Sequence, residues 1–292
     1  MADNKIEKDE VSGVETTGHD WDGIKELNNP APRWWLWVFF ICILWSFGYW
    51  VVYPAWPTIM GNTKGSMEWT QYKKLTAEQA EINSIRSVSA DEINAKTLAE
   101  IQADPKLYEF AIAGGKAAFK ENCAACHGTG AQGGHGYPNL NDDDWLWGGK
   151  LEDIYTTIKY GVRSDHDKTR VSQMPDFGQG ILKPEEIANV AEYVLSLSGG
   201  NSFHEKGEVI FKQNCASCHG ESGKGNYAVG APNLTDSIWL YSGDKQSIMG
   251  QIKNPRHGVM PTWENRLPDE VIKQLTIYIY SLGGGESDSL KK

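Results

Sequence analysis

The chain has 292 residues, enough for two or three domains, and carries 28 Lys and Arg against 38 Asp and Glu, a formal charge of −10. Such a balance argues against nucleic acid, which would call for a basic face. The acidic excess lies in residues 1–33, with 4 basic against 8 acidic, and in 107–200, with 8 against 13, whereas 201–292 balances at 10 each.

Residues 1–33 form a polar segment ahead of WWLWVFFICILWSFGYWVVYPAW, a run of 23 residues at 34–56 without a charge. As a helix this run spans roughly 34 Å, enough for a hydrocarbon core of about 30 Å. Trp34, Trp35 and Trp37 mark one end and Trp50 and Trp56 the other, as aromatic belts do at the two membrane interfaces, with Trp45 between them. A cleaved signal peptide fits poorly, because the preceding segment is long and acidic and no small-x-small cleavage site follows. The run reads as one uncleaved anchor, with Cys42 a small apolar side chain inside it. Residues 57–106 then read as a helical connector, in which Thr76-x-x-Gln79 and Ser89-x-x-Glu92 fit the capping-box pattern.

From residue 107 the chain repeats itself. Gly115-x-x-x-Phe119-Lys-x-Asn-Cys123 is matched by Gly207-x-x-x-Phe211-Lys-x-Asn-Cys215, and Pro138-Asn139-Leu140 with Trp145 by Pro232-Asn233-Leu234 with Trp239. Each half closes with an amphipathic helix opened by proline and acids, Pro184-Glu185-Glu186 and Pro268-Asp269-Glu270. These are two tandem copies of a small helical domain, 107–200 and 201–285, before a tail at 286–292.

Both copies contain Cys-x-x-Cys-His, at Cys123–His127 and at Cys215–His219, the attachment pattern of c-type haem. Two thiols one helical turn apart each bond a haem vinyl group, and the histidine that follows sits under the iron. A redox dithiol has no use for the histidine, and a zinc site would need further ligands at metal spacing. The expected cofactors are therefore two covalently bound haems c.

For the second axial position the chain offers Met174, 47 residues past His127, and Met260, 41 past His219, each followed by proline and each ahead of its terminal helix. This is the place from which class I cytochrome c domains supply a methionine. His166 and His257 are nearby rivals, and Met249 looks like a helix core position. His/Met ligation raises the reduction potential and leaves no open site on the iron. Pro138 and Pro232 stand where a proline carbonyl receives the proximal histidine's other N–H, although a simple turn proline is an alternative. Phe119, Phe211, Trp145 and Trp239 would keep water from the haems or simply fill the core. Asp142-Asp143-Asp144 reads as a solvated loop, with docking of a basic partner the alternative. The expected fold is all-α: one N-terminal transmembrane helix followed by two tandem class I cytochrome c domains.

The stretch His-Asp-Trp-Asp-Gly-Ile-Lys-Glu-Leu-Asn-Asn-Pro from His19, then Pro32-Arg33-Trp34-Trp35-Leu36-Trp37 and Tyr53-Pro54-Ala55-Trp56, closely resembles the anchor of the diheme subunit of cbb3-type cytochrome c oxidases, the CcoP or FixP type. Anchor, connector and two haem domains in this order cover essentially the whole chain. The resemblance implies a subunit without a catalytic site of its own. It would take electrons from a soluble cytochrome c and pass them to a monohaem subunit and then to the haem–copper catalytic subunit. Covalent haem attachment places both haem motifs outside the cytoplasm, so the one span read here is expected to cross a bacterial inner membrane with 1–33 cytoplasmic and the haem domains periplasmic; some members of that family carry two spans, whereas this chain shows one. From chain order alone, with the first domain nearer the tether, the second domain is expected to receive electrons first. A free-standing membrane-anchored diheme carrier and a diheme peroxidase are the competing functions.

Overall fold

The computed structural model describes residues 6–200 and 203–286, so of the tail expected at 286–292 only Glu286 is described. The chain divides into two compact units at Ser84/Ile85.

The first unit opens with a hairpin, β1 (Thr16–Trp21) and β2 (Ile24–Leu27), a small departure from an all-helical chain. Its turn is Asp22-Gly23, both with positive φ (50° and 90°), the geometry that matches the twist of paired strands. Helix α1 (Arg33–Val52) follows Pro32 and buries no residue. Among the described residues it is the one helix long and apolar enough to cross a membrane. It stops four residues short of the expected Trp56. Pro54 disfavours helical geometry at Tyr53, which is extended instead (φ −111°, ψ 159°). The remaining 20 residues still span about 30 Å.

The chain then turns through a short ladder, β3 (Pro57–Thr58) and β4 (Gly61–Asn62), and folds back on the helix end. There the N–H groups of Ser66 and Met67 donate to the carbonyls of Val51 and Val52, two acceptors that a helix C-terminus leaves without a partner. Gly65 makes this approach possible, since a Cβ there would lie 2.3 Å from the Val52 oxygen.

Helix α2 (Gln71–Ala95) is continuous, which overturns both expected capping boxes. Thr76 and Ser89 lie inside it, and the Thr76 hydroxyl donates back to the Tyr72 carbonyl one turn earlier. The capping box of this region is Thr97 with Glu100, which opens α3 (Leu98–Ala103).

The second unit continues with α4 (Pro105–Asn122), α5 (Ala124–His127), α6 (Leu151–Tyr160) and α7 (Pro184–Leu197). The repeat supplies α8 (Glu205–Asn214), α9 (Ala216–His219), α10 (Lys245–Lys253) and α11 (Asp269–Tyr280). Contiguous domains would put α7 on α4 and α11 on α8. The structure exchanges them: α11 packs on α4 and α6, and α7 packs on α8 and α10.

One core therefore joins Phe119, Ile154 and Ile158 to Trp263, Ile272, Leu275 and Ile279. The other joins Ile187, Val190, Ala191 and Val194 to Phe211, Ile248 and Ile252. Polar contacts follow the same pairing. Lys159 donates to Asp269 (2.8 Å) and to the Tyr155 hydroxyl (2.8 Å), while Lys245 pairs with Glu192. Two features explain the exchange. The copies present the same faces, so either pairing buries the same surface, and the short connection between α7 and α8 favours that pair, because adjacent elements close the smaller loop.

Candidate haem sites

Each Cys-x-x-Cys-His motif forms a single helical turn at the end of a longer helix. Cys123 ends α4, its N–H bonded to the Phe119 carbonyl at 2.8 Å; Cys215 ends α8, bonded to that of Phe211 at 2.8 Å. Both turns are closed by a glycine of identical geometry, Gly128 and Gly220, each at φ 80° and ψ 155°. The following loop brings a proline carbonyl onto the histidine: Nδ1 of His127 is 3.0 Å from the Pro138 oxygen, and Nδ1 of His219 is 3.1 Å from the Pro232 oxygen. A carbonyl can only accept, so Nδ1 carries the proton and Nε2 keeps its lone pair free for a metal.

Burial lowers the pKa of both histidines, and the proline carbonyls oppose this only in part, so both imidazoles stay neutral at pH 7. Burial, reinforced by the neighbouring thiols of Cys126 and Cys218, pushes Cys123 and Cys215 up to about 11. Cys126 and Cys218 are exposed at the rim. A neutral imidazole fixed by a carbonyl, with two thiols one turn away, is the donor set a covalently attached haem requires, and the residues fit that group.

The methionines reach these sites in crossed order. Met260 packs in the core that contains Phe119 and Cys123, and its backbone pairs with Val162 in both directions, N–H to O at 2.9 and 3.0 Å. Met174 packs in the core that contains Phe211, Cys215 and Trp239. Matching Met174 to His127 and Met260 to His219 by chain order is therefore not what the structure brings together. Met249 lies in the second core, on α10. Of the rival ligands, His166 is engaged through Nε2 with Glu264 at 2.6 Å, and His257 is exposed. His204, unremarkable in the sequence, caps α8 by accepting the Gly207 N–H at 3.2 Å. The signal was its place just ahead of an acidic first turn.

Trp145 is part-buried, its indole donating to the Gly284 carbonyl at 2.6 Å, and so ties the first haem loop to the end of α11. The acidic loop departs from expectation, because Asp144 is half-buried rather than solvated. Burial, then Asp236, Asp142 and Asp143, push its carboxyl up to about 6. A carboxyl held above its ordinary pKa of about 3.9 binds its proton more tightly in the folded state, so its contribution is greatest below about pH 4 and is lost as pH rises through about 6. Asp144→Asn is expected to stabilise the protein by about 1 kcal/mol at pH 7, a figure discounted for partial exposure, and by nothing near pH 4. Denaturant midpoints at the two pH values check this; an equal shift at both would attribute the effect to something other than the charge.

Two haem-attachment turns, each with a carbonyl-fixed histidine and a methionine in the same core, define a membrane-anchored c-type cytochrome with two cytochrome c modules. Family models agree along the chain: the N-terminal domain of cytochrome oxidase-cbb3, FixP, matches residues 13–60, cytochrome c matches 112–198, and cbb3-type cytochrome c oxidase subunit III matches 203–279. The cbb3-type cytochrome c oxidase subunit FixP of Bradyrhizobium sp. (strain ORS 278) is 54% identical over 98% of this chain and 100% of its own length. That of Sinorhizobium medicae is 50% identical over 98% and 100%. Subunit CcoP of Azospirillum brasilense is 48% identical over 96% and 99%. The chain belongs to the FixP family, subunit III of cbb3-type cytochrome c oxidases. As such it is an electron-transfer subunit of an oxidoreductase complex held at a membrane.

Proposed function

We propose that the chain holds two haems c outside the cytoplasm and carries electrons from a soluble cytochrome c to the other oxidase subunits. The observation that carries this reading is the duplicated site, a carbonyl-fixed histidine in each attachment turn and one methionine packed in the same core as that turn's first cysteine. Cys123 and Cys126, with His127 and Met260, hold the first haem; Cys215 and Cys218, with His219 and Met174, hold the second. Haem c supplies a one-electron centre, and His/Met ligation sets it to a high potential. Pro138 and Pro232 fix the histidine rings and raise their basicity. Phe119 and Phe211, at 1% and 0% exposure, keep water from the sites.

With His127 and Met260 at one haem and His219 and Met174 at the other, the bound irons would offer oxygen or peroxide no open position, and the chain would act as an electron carrier rather than as an enzyme by itself. The receiving partners are the monohaem cytochrome c subunit and, beyond it, the haem–copper catalytic subunit. Covalent haem attachment takes place on the outer side of a bacterial-type membrane, so α1 crosses the inner membrane once, with the N-terminus cytoplasmic and the second unit periplasmic.

Purification in mild detergent through a tag on this chain tests the reading. Haem b and copper are expected to co-elute with two haems c per chain, with oxygen uptake on a reduced cytochrome donor. Haem c alone under conditions that keep such complexes intact would favour a free-standing carrier. A spectral shift of the reduced, folded chain with carbon monoxide would restore the peroxidase, since carbon monoxide binds only an accessible iron.

A further inference from the structure

The segments that deliver the two methionines cross at one point, and a single residue spans them. Val162, just past α6, lies between the two segments, bridged in parallel to Arg170 on one side and antiparallel to Met260 on the other. The next residue, Arg163, extends its side chain to both. Its Nε donates to the Gly258 carbonyl at 2.7 Å and its Nη1 to the Ser172 carbonyl at 3.0 Å. Gly258 stands two residues before Met260 and Ser172 two before Met174, so the guanidinium grips the same position on both loops.

Its own backbone is held in the left-handed region at φ 51°, which an arginine adopts only when its surroundings impose it. The side chain is partly buried, and that burial lowers its pKa; a guanidinium stays charged in proteins. A planar fork of fixed donors holds two carbonyls at a set separation more rigidly than the flexible, rotating ammonium of a lysine does.

We propose that Arg163 is a positioning residue for both haem sites at once, fixing the two methionine loops against each other so that ligation at one haem is mechanically tied to ligation at the other. This rests on Met174 and Met260 being the axial ligands. It makes the exchange of helices a functional coupling as well as a packing solution: in contiguous domains no single side chain would need to serve both loops.

The test uses the full-length holoprotein and imidazole as a competitor for the methionine position, following the far-red absorption band of a methionine–ferric haem bond. Wild type is expected to show the band at an amplitude of two haems. Its absence would overturn the ligand assignment itself, independently of Arg163. Arg163→Gly removes the guanidinium while suiting the positive φ. It is expected to raise imidazole affinity about tenfold or more at both haems, the effect of losing one charge-assisted hydrogen bond per loop, with both reduction potentials falling together. Arg163→Lys is expected to recover at most one of the two haems. If the wild-type band is present and Arg163→Gly leaves both haems unchanged, or loosens only one, the proposal is wrong. It is also wrong if neither variant retains haem, because Arg163 would then be needed for folding rather than for positioning.

Discussion

Met260→Ala is expected to strip the methionine from the haem attached at Cys123 and Cys126, and Met174→Ala from the haem at Cys215 and Cys218, the reverse of their order in the chain. Each substitution removes a soft sulfur ligand and opens one iron to water. That haem should lose its far-red methionine band and its potential should fall by a sizeable part of the roughly 0.8 V range that axial ligands command. The other haem keeps its methionine, because the contacts of Arg163 to the backbone of both loops survive the loss of one methionine side chain. Single variants alone do not say which haem has changed, so the experiment is run where only one haem can attach. In a Cys215→Ala/Cys218→Ala background the remaining haem sits at Cys123 and Cys126. There Met260→Ala should abolish the band and Met174→Ala should leave it. The opposite result would mean that the methionines follow chain order and that α7 and α11 exchange only their packing.

What could be read from the sequence follows how local each signal is. Cys123–His127 and Cys215–His219 encode their chemistry within five residues, and the geometry of the turn depends on little beyond them and a closing glycine. Gly115, Phe119, Gly207 and Phe211 likewise announce helix faces that must be buried. What they do not announce is the partner. The two copies carry the same faces, so the pattern identifies a crossing of helices but not which copy provides the second helix; connection length decides that, and it is not encoded in periodicity. The misread caps have a related cause. Thr76 and Ser89 satisfy a four-residue pattern, but the helix runs unbroken from Gln71 to Ala95, so neither meets the unpaired N–H groups that a cap serves. Thr97 becomes the cap because Ala95 ends the helix just before it, leaving N–H groups that need an acceptor. The raised pKa of Asp144 could not be read at all, since it depends on burial and on the charge of Asp236 from the other copy.

The glycines at the two crossings should be among the least replaceable positions in the second unit. A Cβ on Gly207 would lie 2.1 Å from the Asn189 carbonyl oxygen and 2.6 Å from the Cβ of Tyr193; on Gly115 it would lie 2.2 Å from the Gln274 oxygen and 2.6 Å from the Cβ of Tyr278. In both cases the obstacle is backbone in the facing helix, so no rotamer change relieves it and the helices must move apart. Separation would open the packing around Phe211 or Phe119 and displace the attached Cys-x-x-Cys-His turn. Gly207→Val and Gly115→Val are each expected to cost about 3 kcal/mol or more, the range of severe core overpacking, and to lower the yield of haem-bearing protein sharply. Gly250 supplies the control. It lies inside α10 with nothing within 4 Å of a Cβ, so Gly250→Ala should be neutral or stabilising by about 0.5–1 kcal/mol through the unfolded chain. Thermal unfolding and haem content of the three variants decide the matter. Because Gly207 meets α7 and Gly115 meets α11, equal damage from both is what two interlocked cores require. Tolerance at Gly207 with failure at Gly115 would instead mean that α7 is free to leave α8 and that the exchange is not what holds the second core together.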